Sequence, residues 1–250
     1  MRFHVAAAQI KPKKADYEHN LAKIADLFDQ IEGMDPRPDV LVLPETALHG
    51  YFLEGGVRDV ARSRDDLFAD LLAAYQQRTR GGKLDIAAGF YELHEGKYYN
   101  AGLYATLAHD DSAALIHVHH KFFLATYGVF DEKRFVARGR TVEAFDTRFG
   151  RAALLICEDI WHSITGTIAA LDGAQIVYVI SASPGRDFTG EHLGNLERYS
   201  RLLPSIADEE LGKRIRRRGD FTRHGNSSHF QRIFAWARHP HAPPATTGAG

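Results

Sequence analysis

Apolar residues change their spacing along the chain, and the changes mark its elements. Phe3, Val5 and Ala7 alternate with polar or shorter partners, which predicts a first strand ending near Ile10. Leu21, Ile24, Leu27, Phe28 and Ile31 recur at helical spacing over Asp16 to Ile31, with Asp16 as the N-cap. Asp39 to Leu43 reads as a second strand, stopped by Pro44. A helix is expected over Asp65 to Arg78, ended by Gly81 and Gly82, and a third strand over Leu84 to Phe90. Tyr98 to Leu107 and Ala113 to His119 form a hairpin across His109, Asp110 and Asp111. Lys121 to Gly139 is a long loop. Thr141 to Phe145 and Arg151 to Ile156 are two more strands, and His162 to Leu171 is a short helix. Gln175 to Ile180 is a further strand. Glu191 to Glu210 has a helical pattern that Pro204 is expected to kink or divide.

Strands and helices alternate, and the runs Val40 to Leu43, Leu154 to Ile156 and Ile176 to Ile180 are apolar at every position. Strands of that kind are buried on both faces, so the pattern predicts a layered α/β fold with helices over the sheet faces. At 250 residues, 44% hydrophobic and 25% charged, the chain has the composition of an ordinary globular protein. One cysteine excludes an internal disulfide, and no apolar run approaches the roughly 20 residues of a membrane helix. The N-terminus is too short and polar for a secretory leader, so a cytoplasmic protein is expected.

The net charge of −1 hides an asymmetry. Residues 211–250 hold eight Lys and Arg against Asp220, or +7, which leaves −8 for residues 1–210. The chain is therefore read as a folded domain over 1–210 and a basic tail over 211–250.

Three polar residues follow strand ends, where α/β folds place functional groups. They are Glu45 behind Val40 to Pro44, Lys121 behind Ile116 to His120, and Cys157 behind Leu154 to Ile156. A Glu, a Lys and a Cys brought together can run nucleophilic catalysis: the carboxylate takes the thiol proton, the sulfur attacks, and the ammonium stabilises the developing negative charge. Each has a plainer role as well, as a helix cap, a solvated edge charge and a small buried residue.

Their neighbours narrow the choice. Leu43-Pro44-Glu45-Thr46-Ala47-Leu48-His49-Gly50-Tyr51, His120-Lys121-Phe122-Phe123-Leu124 and Ile156-Cys157-Glu158-Asp159-Ile160-Trp161 occur in this order. Ala8-Gln9-Ile10, Gly89-Phe90-Tyr91-Glu92, Tyr99-Asn100-Ala101 and Phe130-Asp131-Glu132 accompany them. Over about residues 1–208 the chain resembles the nitrilase, or carbon–nitrogen hydrolase, superfamily. The resemblance implies an α-β-β-α sandwich without a cofactor, in which Glu45 is the general base, Lys121 the oxyanion stabiliser and Cys157 the nucleophile. It implies that Glu132 orients Lys121 or the leaving amine, and that the backbone N–H of Glu158 is a second oxyanion donor. The implied substrate is a small amide, carbamoyl compound or nitrile, opened through a thioester, and the implied assembly is a homodimer or higher homo-oligomer.

Tyr51, Tyr127, Glu158, Trp161 and His162 lie near these motifs and are candidates for the substrate pocket. His117, His119 and His120 lack the further ligands that a metal site needs, so no metal is expected. Cys157-Glu158-Asp159-Ile160-Trp161 also resembles the cysteine motif of glutaminase domains that feed ammonia to a partner. No synthetase domain follows it within these residues, so an amidase-like enzyme is the first expectation. After about Glu210 the resemblance stops. Little strand alternation follows, the composition suits a disordered tail, and a frameshift near Leu211 would explain the change. Strands of the second sheet would then be missing or replaced, and the member catalytically impaired. Nucleic acid and membrane partners are not expected.

Overall fold

A computed structural model describes residues 3–51, 56–126, 131–182 and 199–206, and the backbone of 232–237. Five strands, β1 (Val5–Ala7), β2 (Val40–Val42), β3 (Lys83–His94), β4 (Lys97–Ala108) and β5 (Ala114–His120), form one sheet in that order. The first three are parallel and β3, β4 and β5 run as an antiparallel meander. Four strands, β6 (Ala144–Thr147), β7 (Gly150–Ile156), β8 (Ile176–Ser181) and β9 (Arg232–Ala237), form the second sheet. Its central pair β7 and β8 is parallel, and β6 and β9 are antiparallel to their neighbours. The helices are α1 (Tyr17–Glu32), α2 (Val57–Val60), α3 (Arg64–Arg78) and α4 (Ser163–Leu171), with a further helical run at 199–206.

The strand period of two sorts side chains into three apolar layers. Leu41, Leu84, Ile86 and Leu103 face outward from the first sheet and pack against Ile24 and Phe28 of α1 and Leu67 and Leu71 of α3. Val40, Val42, Ala87 and Tyr104 point the other way and meet Leu154, Ile156, Tyr178 and Ile180 between the sheets. Ala153, Leu155, Val177 and Val179 face outward from the second sheet against Ala169 of α4 and Tyr199 and Leu203 of the helical run. The layers are therefore helix, sheet, sheet, helix, an α-β-β-α sandwich. Each fully buried large apolar side chain contributes about 1.5–3 kcal/mol.

Several local features follow the sequence closely. Asp16 caps α1 by accepting from the His19 N–H, and Ser63 caps α3 by accepting from that of Asp66. Others differ. β3 does not stop at Phe90 but runs to His94 and turns into β4 through Glu95 and Gly96, both at positive φ, the geometry that suits a two-residue hairpin. β6 starts at Ala144 rather than Thr141. Pro204 lies inside the helical run 199–206 without dividing it, and the rest of the expected helix over 191–210 is outside the described residues. Residues 211–250 are not strandless: Arg232–Ala237 pairs with all six residues of β8 and gives the second sheet a fourth strand. No helix among the described residues is long and apolar enough to cross a membrane.

Candidate active site

The chain leaves β2 through Leu43 and Pro44 into a tight turn with Thr46 at φ 51°. Ala47 donates to the Pro44 carbonyl and Gly50 to that of Thr46. Gly89 of β3 lies directly under this turn and also donates to the Pro44 carbonyl at 3.2 Å. The turn aims Glu45 inward, where it is fully buried. Glu45 Oε1 accepts from Lys121 Nζ at 2.9 Å and Asn100 Nδ2 at 2.8 Å, and Oε2 from the Ala182 N–H at 2.8 Å.

Lys121 follows β5. Its N–H donates to the Asn100 carbonyl and its own carbonyl accepts from Gly139, both at 2.9 Å. Its Nζ lies between two carboxylates, 2.9 Å from Glu45 Oε1 and 2.9 Å from Glu132 Oε1. Glu132 opens a 3-10 turn and is also fully buried. Its Oε1 accepts from Asn100 Nδ2 at 3.0 Å and Tyr51 Oη at 3.1 Å, and its Oε2 from the Ala125 N–H at 2.7 Å. Burial opposes the charge on Lys121, but Glu45, Glu132 and, to a lesser degree, Cys157 and Tyr51 outweigh it and hold the lysine well above its ordinary pKa. The ammonium is thus permanent at neutral pH. Burial, reinforced by Glu132, raises the Tyr51 phenol far above its usual range, so it stays protonated and donates.

Cys157 directly follows β7 with φ 46°, a left-handed conformation that a non-glycine residue adopts at some cost. The chain turns there into a 3-10 helix over Cys157–Trp161. Cys157 Sγ accepts from Ser181 Oγ at 3.3 Å and lies 3.7 Å from Tyr199 Oη. Ser181 ends β8, and its neighbour Ala182 is the residue that bonds Glu45, so the sulfur and the carboxylate meet across the end of that strand.

A buried carboxylate ties the cysteine turn to the lysine segment. Asp159 Oδ2 accepts from the Ile156 N–H at 3.0 Å and is 2.9 Å from His119 Nε2. Its Oδ1 accepts from the N–H groups of Phe122 and Phe123 at 2.9 and 2.8 Å. Four bonds from two segments thus converge on one side chain, on either side of Lys121 and immediately before Cys157.

The structure therefore gathers Glu45, Lys121 and Glu132 into one hydrogen-bonded centre, includes Tyr51 in it, and sets Cys157 beside it. Trp161 Nε1 donates to Tyr199 Oη at 2.7 Å, which places the indole one residue away from the sulfur. Glu158 faces His162 at 3.5 Å, and the His162 ring stacks on Phe123 with centroids 3.7 Å apart. Tyr127 lies outside the described residues. The three histidines before Lys121 have separate partners: His117 stacks on Phe145, His119 meets Asp159, and His120 lies between Tyr99 and Glu92. No group of three His, Cys, Asp or Glu among the described residues could hold a metal ion. Sequence reasoning gave no part to Asn100, Asp159, Ser181 or Tyr199. Two of them had a signal, since Asn100 and Asp159 stand inside motifs already singled out.

The family model for carbon-nitrogen hydrolases matches residues 4–198 of this chain. A glutamine-dependent NAD(+) synthetase of Thermotoga maritima is 29% identical over 185 residues, covering 73% of this chain and 30% of that protein. A probable nitrilase of Schizosaccharomyces pombe is 26% identical over 223 residues, covering 85% of this chain and 76% of the relative. An (R)-stereoselective amidase of Pseudomonas sp is 26% identical over 179 residues, covering 72% and 60%. The chain spans about a third of the length of the NAD(+) synthetases it matches. Among solved structures, a carbon-nitrogen hydrolase of Helicobacter pylori G27 superposes with a TM-score of 0.70 at 21% identity, covering 83% of this chain and 70% of the other. That likeness concerns the fold.

Proposed function

Because the chain belongs to the carbon–nitrogen hydrolase family, we propose that it hydrolyses non-peptide C–N bonds of small amides, carbamoyl compounds or nitriles through Glu45, Lys121 and Cys157. The observation that carries the reading is the buried Lys121 ammonium held 2.9 Å from Glu45 beside the single cysteine. For an amide, Glu45 takes the thiol proton and Cys157 Sγ forms a bond to the carbonyl carbon. The oxygen takes up the negative charge and is met by Lys121 Nζ and the Glu158 N–H. The C–N bond then breaks, Glu45 passes its proton to the leaving nitrogen, and ammonia or an amine departs from a thioester. Water, losing a proton to Glu45, attacks the thioester, and the acid leaves as that proton returns to sulfur. Glu132 keeps Lys121 aimed, and Tyr51, Glu158, Trp161 and His162 line the acyl side. No step needs a cofactor.

A second reading has its own support. Several of the relatives are glutamine-dependent synthetases, and in that mode the same steps release ammonia from the side-chain amide of glutamine for use elsewhere. Both readings are tested by ammonia release from a panel of primary amides, carbamoyl compounds and nitriles that includes L-glutamine, run beside C157A. Turnover that vanishes in C157A is expected, and preference for glutamine over simple amides selects the second reading. Turnover that survives in C157A overturns both.

A further inference from the structure

Two carboxylates, Glu45 and Glu132, present one oxygen each to the same pair of donors. Lys121 Nζ lies 2.9 Å from both oxygens, and Asn100 Nδ2 lies 2.8 Å from the first and 3.0 Å from the second. The four groups form a closed ring in which acceptors and donors alternate. One amide NH2 has two hydrogens and can serve two acceptors at once, whereas an ammonium alone would leave two negative oxygens facing each other across a single cation.

The orientation of this amide is imposed by the ring. Turning it over would set Asn100 Oδ1 against both carboxylates. As placed, Oδ1 is buried and has no hydrogen-bond partner among the described residues. A buried acceptor left unpaired is a cost, which indicates that the NH2 end is what the site holds in place. The main chain of the same residue accepts the Lys121 N–H at 2.9 Å, so Asn100 fixes the lysine backbone with its carbonyl and the lysine's two anions with its side chain.

We propose that Asn100 is the positioning residue that clamps the Glu45 and Glu132 carboxylates on either side of Lys121 and so holds Glu45 in place beside Cys157. The inference rests on the reading of Glu45 as the base. Removing the NH2 takes one charge-assisted hydrogen bond from each carboxylate and leaves their repulsion less screened. Either change makes the centre a weaker proton acceptor, so the acidic limb of Cys157 reactivity should move to higher pH.

The chain has one cysteine, so alkylation by iodoacetamide reads Cys157 alone and needs no knowledge of the substrate. The probe rate is measured from pH 4 to pH 9 for wild type, E45Q, N100A and N100S, with thermal melts alongside. E45Q should abolish the acidic limb of the profile. N100A should move that limb to higher pH by about one unit, which slows alkylation about 10-fold below it. N100S retains one donor and should fall between the two. A profile in N100A and N100S that is lowered at every pH but unshifted would mean a purely structural residue and overturn the inference. If N100A does not fold, N100S alone decides it by the same shift. An acidic limb that persists in E45Q instead removes Glu45 as the base, a separate failure that leaves the Asn100 result recognisable.

Discussion

Replacing Gly89 with alanine tests how the Glu45 turn is built. A Cβ at this position would lie 2.4 Å from the Thr46 nitrogen, 2.6 Å from the Glu45 Cα and 2.6 Å from the Pro44 carbonyl oxygen. All three are backbone atoms, so no side chain can swing aside. Ordinary contact begins near 3.4 Å, so the turn must retreat from β3 by about 1 Å. That retreat would carry Glu45 with it and stretch its bonds to Lys121 and Asn100, now 2.9 and 2.8 Å. A displacement of about 1 Å in a reacting group can cost on the order of 100-fold in rate. Overpacking adds a loss of about 1–3 kcal/mol, which for a chain of this size lowers Tm by roughly 2–12 °C. Differential scanning calorimetry and the pH-dependent alkylation of Cys157 would measure both. G89A should melt lower yet still fold, and its alkylation at neutral pH should be about 100-fold slower. A variant with wild-type Tm and wild-type alkylation would refute the argument that Gly89 exists to admit the Glu45 turn.

Other expectations follow from the same geometry. D159N puts an NH2 where a carboxylate oxygen now accepts the Ile156 N–H, or else where one accepts the Phe122 and Phe123 N–H groups. It should lower stability by about 1–3 kcal/mol by denaturant titration and slow Cys157 alkylation, and retention of both would remove Asp159 as the tie between the two segments. Burial pushes the His49 and His117 imidazoles down to about 4, below the value of the unfolded chain. The unfolded state therefore binds the protons first, so stability is full above about pH 6.5 and drains by up to about 3 kcal/mol per histidine as the pH falls toward 4. H117F, which keeps the stack on Phe145, should flatten that slope in denaturant titrations at pH 7 and pH 4, and an unchanged slope would count against the assignment. L154A between the sheets and L71A on the buried face of α3 should each cost about 2–5 kcal/mol, but only L154A should also slow Cys157 alkylation, and equal kinetic effects would show that the inter-sheet core does not set the site.

The sheet strands buried on both faces were the most legible part of the sequence. β2, β7 and β8 have apolar residues at consecutive positions, and a run of that kind has few structures open to it. Glu45 and Cys157 were visible because each is the first functional polar residue after such a run, and Lys121 because it follows a strand end inside the stretch His120-Lys121-Phe122-Phe123-Leu124. Asn100 and Asp159 were not, for a physical reason: their meaning lies in partners 55 and 40 residues away, Glu45 and His119 respectively, and local pattern shows only a polar gap in a strand and an acid in a turn. The length of β3 was hidden too, because Tyr91 and Glu92 are buried by neighbours that the strand itself does not name. β9 has only six residues among many arginines, and its Ile233, Phe234 and Trp236 were outweighed by the composition around them. Composition averages over a window, whereas a sheet edge needs only a short segment of strand-forming residues to cover it.

The site belongs to neither sheet alone. Lys121 and Asn100 come from the first sheet, with Glu45 on the turn that leaves it, while Cys157 and Ala182 come from the ends of the second. Among the described residues, the bonds that cross between them at the site are the Ala182 N–H to Glu45 and the N–H groups of Phe122 and Phe123 with His119 to Asp159, while Arg148 of the β6–β7 turn donates to Asp85 of β3 at the opposite strand ends. A hydrogen bond tolerates only a few tenths of an ångström before it weakens, so these bonds constrain the sheets as much as the sheets constrain them. Between them lies an apolar layer of Val42, Ala87, Leu154 and Ile180, whose close packing fixes the sheet separation more stiffly than polar contacts could. The chemistry is thus held by a division of labour. The core packs between the two sheets, Asp159 ties the lysine segment to the cysteine turn, and Asn100 bridges Glu45 and Glu132 beside Lys121.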